Sequence, residues 1–242
     1  MRKLKILLLV LLICFIPGCA TTHRTNPKFA KYFETPKKVA IVTPDIKINK
    51  LTAGGVSELI DEWSEQAKGK VLSAMQSELK KFPYITVLRL DEEKLNTQDK
   101  DFFKEEKGLF NALAYSIVAH TYLPGSTFQH KISNFDYTFG EEISKLSMKA
   151  QSDALLFCAG TNYIWTAGRV CLATAGILVT AVTGVAVIVP AGPEWLAVSL
   201  VDAKTGDVLW FDYVILPGDL RDEYVDTQQM KRVFSSFPKN SK

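Results

Sequence analysis

Residues 195–214 read WLAVSLVDAKTGDVLWFDYV, and this stretch decides the class of the fold. Two apolar runs, residues 195–203 and 207–214, flank the polar segment KTG at 204–206. Apolar runs of this length that are bounded by turn residues are typical of buried strands, and glycine supplies the positive φ of a tight turn. The stretch therefore predicts a β-hairpin near the end of the chain.

Strands and helices alternate before this hairpin. Apolar runs predict strands at residues 39–43, 85–90 and 154–158, and the end of the last strand is left open as far as residue 165. Helical spacing predicts helices over residues 57–82, 101–119, 141–151 and 219–237, with residues 121–139 mostly loop. This order predicts an α/β fold, with helices packed on a mixed β-sheet and an apolar insertion before the C-terminal hairpin.

The first 22 residues, MRKLKILLLVLLICFIPGCATT, have the layout of a secretory signal. A basic start is followed by an apolar run at residues 6–16 and then by Gly18 and Cys19. The ending resembles the lipobox of bacterial lipoproteins, in which a peptidase cuts before a cysteine whose thiol takes a diacylglycerol. We expect residues 1–18 to be a lipoprotein signal peptide, with cleavage between Gly18 and Cys19 and lipid attached to Cys19. An ordinary cleaved signal and an N-terminal anchor helix are the alternatives.

The charge of the chain gives no reason to expect nucleic-acid binding. The whole sequence has 29 basic and 26 acidic residues, and Arg2, Lys3 and Lys5 of the expected signal account for the excess. A chain that is neutral after cleavage lacks the basic surface that nucleic-acid binding needs.

Residues 19–38 follow the expected signal and contain two prolines and no apolar periodicity. This pattern predicts a lipidated tether, which either lies on anionic lipid or is a solvated linker. The α/β domain is then expected over residues 39–237, with a short tail at 238–242.

The insertion at residues 167–193 is the unusual segment, since residues 170–193 contain no charged side chain. It is long enough to cross a bilayer as one helix, but the strands expected on either side belong to one sheet. A hairpin that leaves and returns, turning at Gly176 or Gly184, resolves this conflict. Its β-branched residues favour two strands. We leave open a membrane-contacting arm, an arm packed on its own domain or on another subunit, and a single span.

The remaining candidate residues predict little chemistry. Cys158 and Cys171 lie in apolar surroundings, so two buried thiols are expected, with a disulfide as the alternative. The three histidines are scattered, and the sequence has no zinc, phosphate-loop or nucleophile-elbow motif. We therefore predict no catalytic, cofactor-binding or metal-binding residue.

Several of these segments together resemble one protein family. With Cys19, they are residues 39–45 (VAIVTPD), 153–160 (DALLFCAG) and the hairpin at 199–210 (SLVDAKTGDVLW). The chain resembles the lipoprotein group that includes CsgG and LpoB, whose soluble domain is related to the N-terminal domain of TolB. CsgG-like members form secretion pores and LpoB-like members activate peptidoglycan synthases. The resemblance implies a non-catalytic envelope lipoprotein, and Ala20 in place of aspartate implies sorting to the outer membrane.

The function expected from the sequence is that of a lipid-anchored accessory protein on the periplasmic side of the outer membrane. It would contact membrane lipid through acylated Cys19, and an envelope protein or a second copy through residues 170–193. One alternative is a membrane-embedded, oligomeric secretion or transport pore subunit. The other is a periplasmic hydrolase with an unrecognised site.

Overall fold

The computed structural model describes residues 23–90, 92, 95–125, 127–190, 192–215 and 218–238. These residues form one mixed sheet of eight strands with helices on both faces, so the expected α/β class is confirmed. The strands are β1 His23–Thr25, β2 Lys37–Ile41, β3 Asp45–Leu51, β4 Ser57–Leu59, β5 Ile85–Arg89, β6 Ala154–Trp165, β7 Trp195–Asp202 and β8 Val208–Ile215.

The sheet is organised around β6, the longest strand. Its first half pairs with β2 and its second half with β3, both in parallel, while β7 pairs antiparallel along its other edge. The strand order is β1-β8-β7-β6-β2-β5, and β4 continues from β3 as an antiparallel hairpin. The hairpin predicted from residues 195–214 is β7 and β8, and its turn includes Gly206 at a φ of +73°.

Seven α-helices lie among the described residues, and a 3₁₀ turn at Glu141–Ile143 precedes the fifth. They are α1 Phe29–Tyr32, α2 Asp61–Leu79, α3 Thr97–Thr121, α4 Gln129–Asn134, α5 Ser144–Ala150, α6 Ala167–Thr183 and α7 Glu223–Ser235. Helices α1, α2 and α7 contribute to the apolar core on one face of the sheet. Helices α3 and α5 contribute to the core on the other face.

The prediction that residues 19–38 form a tether is wrong for the part that the structure describes. Strand β1 pairs with β8, and the side chains of Phe29 and Phe33 are buried. Their rings contact each other and the ring of Phe237. The segment folds because these two aromatic side chains, at the start of α1 and just after its end, complete one core. The expected signal peptide and residues 19–22 lie outside the described residues.

Two further differences concern short strands. Residues 45–51 form β3, whose alternating Ile46 and Ile48 are buried, although the sequence analysis assigned no strand there. The helix expected over residues 57–82 begins only at Asp61, because residues 57–59 pair with β3 as β4.

Candidate functional site: an exposed apolar arm

The charge-free insertion forms an arm that projects from one end of the sheet. Strand β6 ends at Trp165, and the hydroxyl of Thr166 caps the next helix by accepting from the backbone N–H of Arg169 at 3.4 Å. Helix α6 then runs to Thr183 and ends at Gly184 in the left-handed conformation, a common way for helices to end. We call α6 and the return segment 184–190 together the arm.

The return segment lies along α6 rather than pairing as a strand. Gly176 makes this approach possible, since a Cβ there would lie 3.0 Å from a methyl carbon of Val187. Threonine hydroxyls of α6 accept from backbone N–H groups of the return segment: Thr180 from Val187 at 2.9 Å, and Thr183 from Val185 at 3.2 Å. The expected turn at Gly184 is therefore present, but the expectation of two strands is wrong.

Most side chains of the arm are exposed although they are apolar. Val182 and Ile188, near the tip, keep 86% and 83% of their surface exposed. The other large apolar side chains exposed on the arm are Val170, Leu172, Ile177, Leu178, Val179, Val185 and Val187. A contiguous apolar surface of this kind usually marks a site of contact with protein, lipid or ligand.

One buried cation attaches the arm to the domain. The guanidinium of Arg169, whose residue is 4% exposed, donates to the backbone carbonyl of Thr52 at 3.0 Å and to the carbonyl of Pro190. It also lies 5.3 Å from the centre of the Trp165 ring. Because Arg169 joins α6 to the end of the return segment and to the loop after β3, it fixes both ends of the arm on the sheet.

A groove with a volume of about 640 Å³ lies beside the base of the arm, next to the β3–β4 hairpin. Its walls include Leu51, Gly55, Ser57, Tyr163, Leu172 and Val187. Arg169 also lines it, so the groove is apolar with one cationic group at its side.

Two properties of the described residues bear on the alternatives. None of the helices there is both long and apolar enough to cross a membrane. In the same part of the chain, His, Cys, Asp and Glu side chains form no group of three that could hold a metal ion.

The two cysteines differ in their surroundings. Cys158 lies on β6 in the core, where burial raises the pKa of its thiol and the nearby Asp226 adds to the effect. Cys171 lies on α6 and is exposed, so the prediction that it is buried is wrong. Both are free thiols, and the structure does not join them in a disulfide. Gly18 and Cys19 lie outside the described residues.

The structure also places a carboxylate in the core that the sequence analysis missed. Asp226 on α7 is 1% exposed, and neither of its carboxylate oxygens has a hydrogen-bond partner among the described residues. Burial raises the pKa of its carboxyl to about 8, against a smaller opposing effect of Lys70. The signal was its spacing, since Asp226 stands four residues before Met230 on the buried stripe of α7. Tyr224, two residues before Asp226 on the same helix, is exposed.

Comparison with known proteins gives remote similarities only. No family model and no curated protein matches the chain. A PelC dodecamer from Paraburkholderia phytofirmans is similar over 90% of this chain and 95% of that chain, with 10% identity and a TM-score of 0.36. A PelC variant dodecamer from that organism is similar over 88% and 94%, with 11% identity and a TM-score of 0.35.

The C-terminal domain of LpoB from Salmonella enterica is similar over 79% of this chain and 94% of that chain, with 10% identity and a TM-score of 0.28. At these scores the similarities carry no argument about function. The function has to be argued from the residues of the chain itself.

Proposed function

We propose that this protein is a lipid-anchored accessory protein of the cell envelope, which works by binding other envelope components rather than by catalysis. The observation that supports the proposal is the arm. Its exposed surface carries no charge, and the side chains of Val182 and Ile188 near its tip are each more than four fifths exposed. An apolar surface of this kind usually marks a site of contact with a partner. Its residues offer apolar contact and no charged side chain from 170 to 193. This surface is suited to binding.

The anchoring half of the proposal rests on the first 19 residues. Their basic start, apolar run and Gly18-Cys19 ending are the features of a lipoprotein signal. The first strand that the structure describes begins at His23, four residues after Cys19. An acyl chain at Cys19 would therefore hold the domain directly against the membrane, on the periplasmic side of the outer membrane if Ala20 directs sorting as proposed.

Labelling with radioactive palmitate in a Gram-negative host tests the anchor. We expect the wild-type chain to be labelled, processed to the mature size and recovered with membranes. The Cys19→Ser chain should be unlabelled and unprocessed, because serine lacks the thiol that takes the diacylglycerol. Cys171→Ser is the matched control and should behave as wild type, since Cys171 lies on α6, far along the chain from the signal. If Cys19→Ser is processed and labelled like the wild type, the lipoprotein assignment is wrong.

A further inference from the structure

We propose that the arm is a second membrane attachment, which inserts into the lipid surface beside the acyl anchor and returns without crossing the bilayer. The inference deepens the proposed function and rests on it for the position of the anchor. It commits the arm to lipid rather than to another protein. Three independent features of the described residues support it.

The first feature is the end of the sheet at which the chain enters. In the pairing of β1 with β8, His23 lies opposite Asp212 and Thr25 opposite Trp210, so the chain before His23 points towards Ile215. Ile215 lies opposite Trp195, at the end of the sheet from which the arm projects. Cys19 precedes His23 by four residues, which span at most about 14 Å when extended, so an anchor at Cys19 is within reach of this end.

The distance across the sheet between β1, which follows Cys19, and β6, which precedes the arm, agrees with this placement. Strands β1 and β6 are three positions apart in the sheet, which corresponds to about 14 Å. An acyl chain at Cys19 and the arm after β6 would therefore enter the same patch of membrane. A membrane that holds the anchor lies against the arm.

The second feature is that the arm satisfies its own polar side chains. The hydroxyls of Thr174, Thr180 and Thr183 each donate to the backbone carbonyl four residues earlier, at 2.9, 2.9 and 2.8 Å. Ser and Thr side chains bond in this way within membrane helices, where no water is available. These side chains need no hydrogen-bond partner from the covering surface, and lipid offers none.

The third feature is the distribution of residue types along the arm. Protein interfaces combine an apolar centre with a polar rim and about one hydrogen bond per 100–200 Å². The arm is apolar on its exposed sides as far as its tip and has no charged rim. The polar and aromatic groups occur at its base instead, where Trp165, Trp195 and Arg169 lie. Arg169 is buried, but the half-buried rings of Trp165 and Trp195 at the base, with apolar side chains beyond them, are typical of a lipid–water boundary.

The length of α6 fits entry into the bilayer without crossing it. Seventeen residues of α6 extend for about 25 Å, which is less than the roughly 30 Å of the hydrocarbon core. Gly184 then turns the chain back to Arg169 at the base. Helices that enter the interface without crossing it behave as monotopic anchors.

The test uses the mature chain with Cys19→Ser, so that no acyl group contributes to binding. Vesicles of phosphatidylethanolamine and phosphatidylglycerol are the probe, and co-flotation is the measurement. We expect this chain to float with the vesicles to the same extent in low and high salt, because residues 170–190 carry no charge and Arg169 is buried. The double variant Val182→Asp/Ile188→Asp should bind at least about tenfold more weakly, since aspartate is costly within lipid.

Met148→Asp is the matched control. Met148 lies on α5 and is 69% exposed. The preceding Ser147 donates to the carbonyl of Ala203, which follows β7 at the end of the sheet away from the arm. The control should float as well as the parent chain. Thermal melting should be alike for all three chains, because the substituted side chains are exposed.

Cys171 gives a second readout without any added label site. It is exposed on the arm, whereas Cys158 is buried, so a water-soluble maleimide should react with Cys171 alone. Vesicles should slow this reaction in the parent chain and leave it unchanged in the double variant.

Three results would overturn the inference. They are no flotation of the parent chain, equal flotation of the double variant, or an arm-dependent dimer that forms without lipid while Cys171 stays reactive in vesicles. The palmitate experiment is separate: flotation with an unlabelled Cys19 contradicts only the proposed anchor, and a labelled Cys19 without flotation contradicts only the arm inference.

Discussion

Asp226 shows how one buried side chain sets a pH dependence. Because burial raises the pKa of its carboxyl to about 8, the folded chain keeps a proton that the unfolded chain releases above about pH 4. The contribution of Asp226 to stability is therefore most favourable below about pH 4 and falls as the pH rises to about 8.

Asp226→Asn should remove this dependence, because the amide cannot lose a proton. We expect the variant to be more stable than wild type at pH 8, by about 2 kcal/mol, and the difference to shrink towards pH 4. Chemical unfolding at both pH values measures it. Glu62→Gln, an exposed change in the first turn of α2, should show no such pH-dependent gain. A difference that grows on acidification would contradict the argument.

Arg169 is the residue that fixes the arm to the domain. Arg169→Ala removes the donors to the carbonyls of Thr52 and Pro190 and leaves both ends of the arm loosely attached. We expect limited proteolysis to cut within residues 184–190 faster than in wild type, while the melting of the sheet domain changes little. Arg169→Lys should rescue only part of the protection, because one ammonium lacks the planar fork that reaches two carbonyls. Unchanged cleavage would show that packing alone holds the arm.

Among the elements, α2 is the clearest case in which periodicity decided the outcome. Its buried residues Ala67, Val71, Leu72, Met75 and Leu79 recur at helical spacing, and they pack against the sheet and α7. Met75→Asp places an unpaired charge at a fully buried position and should cost several kcal/mol, enough to unfold most domains. Ser77→Asp, on the exposed side of the helix, should melt as wild type does. A Met75→Asp chain with unchanged melting would remove α2 from the core.

The arm is the element in which residue propensity misled the prediction. Its valines and threonines favour strands when counted singly, and yet α6 is a helix. A helix satisfies its own backbone, whereas a lone pair of strands leaves two unpaired edges. The Thr166 side chain, which caps the first turn of α6, favours the helix further. These contacts depend on three-dimensional placement, and composition does not reveal them.

At the scale of the whole molecule, strong local patterns predicted the main strands and helices. The elements that were not predicted depend on contacts between residues distant in the sequence. The β7–β8 hairpin, α2 and β6 were evident from apolar runs and turn residues. Strand β1 was missed because it is only three residues long and is defined by its pairing with β8. Helix α1 was missed because the two buried phenylalanines of its segment, Phe29 and Phe33, are too few to form a periodic pattern. The arm was predictable as a charge-free excursion that returns at Gly176 or Gly184. Its attachment through Arg169 to Thr52 was not, because it joins residues 117 positions apart.

Deleting the arm tests whether the sheet domain and the arm are separable. Trp165 is the last residue of β6 and Trp195 is the first residue of β7, and both lie at the same end of the sheet. The residue pairs between β6 and β7, from Ala154–Asp202 to Thr161–Trp195, lie outside the arm. Replacing residues 167–193 by a bridge of about six Gly and Ser residues, at roughly 3.4 Å each, should leave these pairs intact. With Cys19→Ser also in place, we expect circular dichroism to show a folded domain with less helix.

The same deletion chain should be more soluble without detergent than the Cys19→Ser parent, because the exposed apolar surface is gone. Any oligomer of the parent should shift towards monomer in gel filtration, and the cellular function of the lipidated chain should be lost on deletion. The double variant Val182→Asp/Ile188→Asp is the control that keeps the arm and changes only its tip, and it should share the gain in solubility. An unfolded deletion chain would show instead that residues 167–193 belong to the core, because an arm that only contacts a membrane is not needed to complete the sheet.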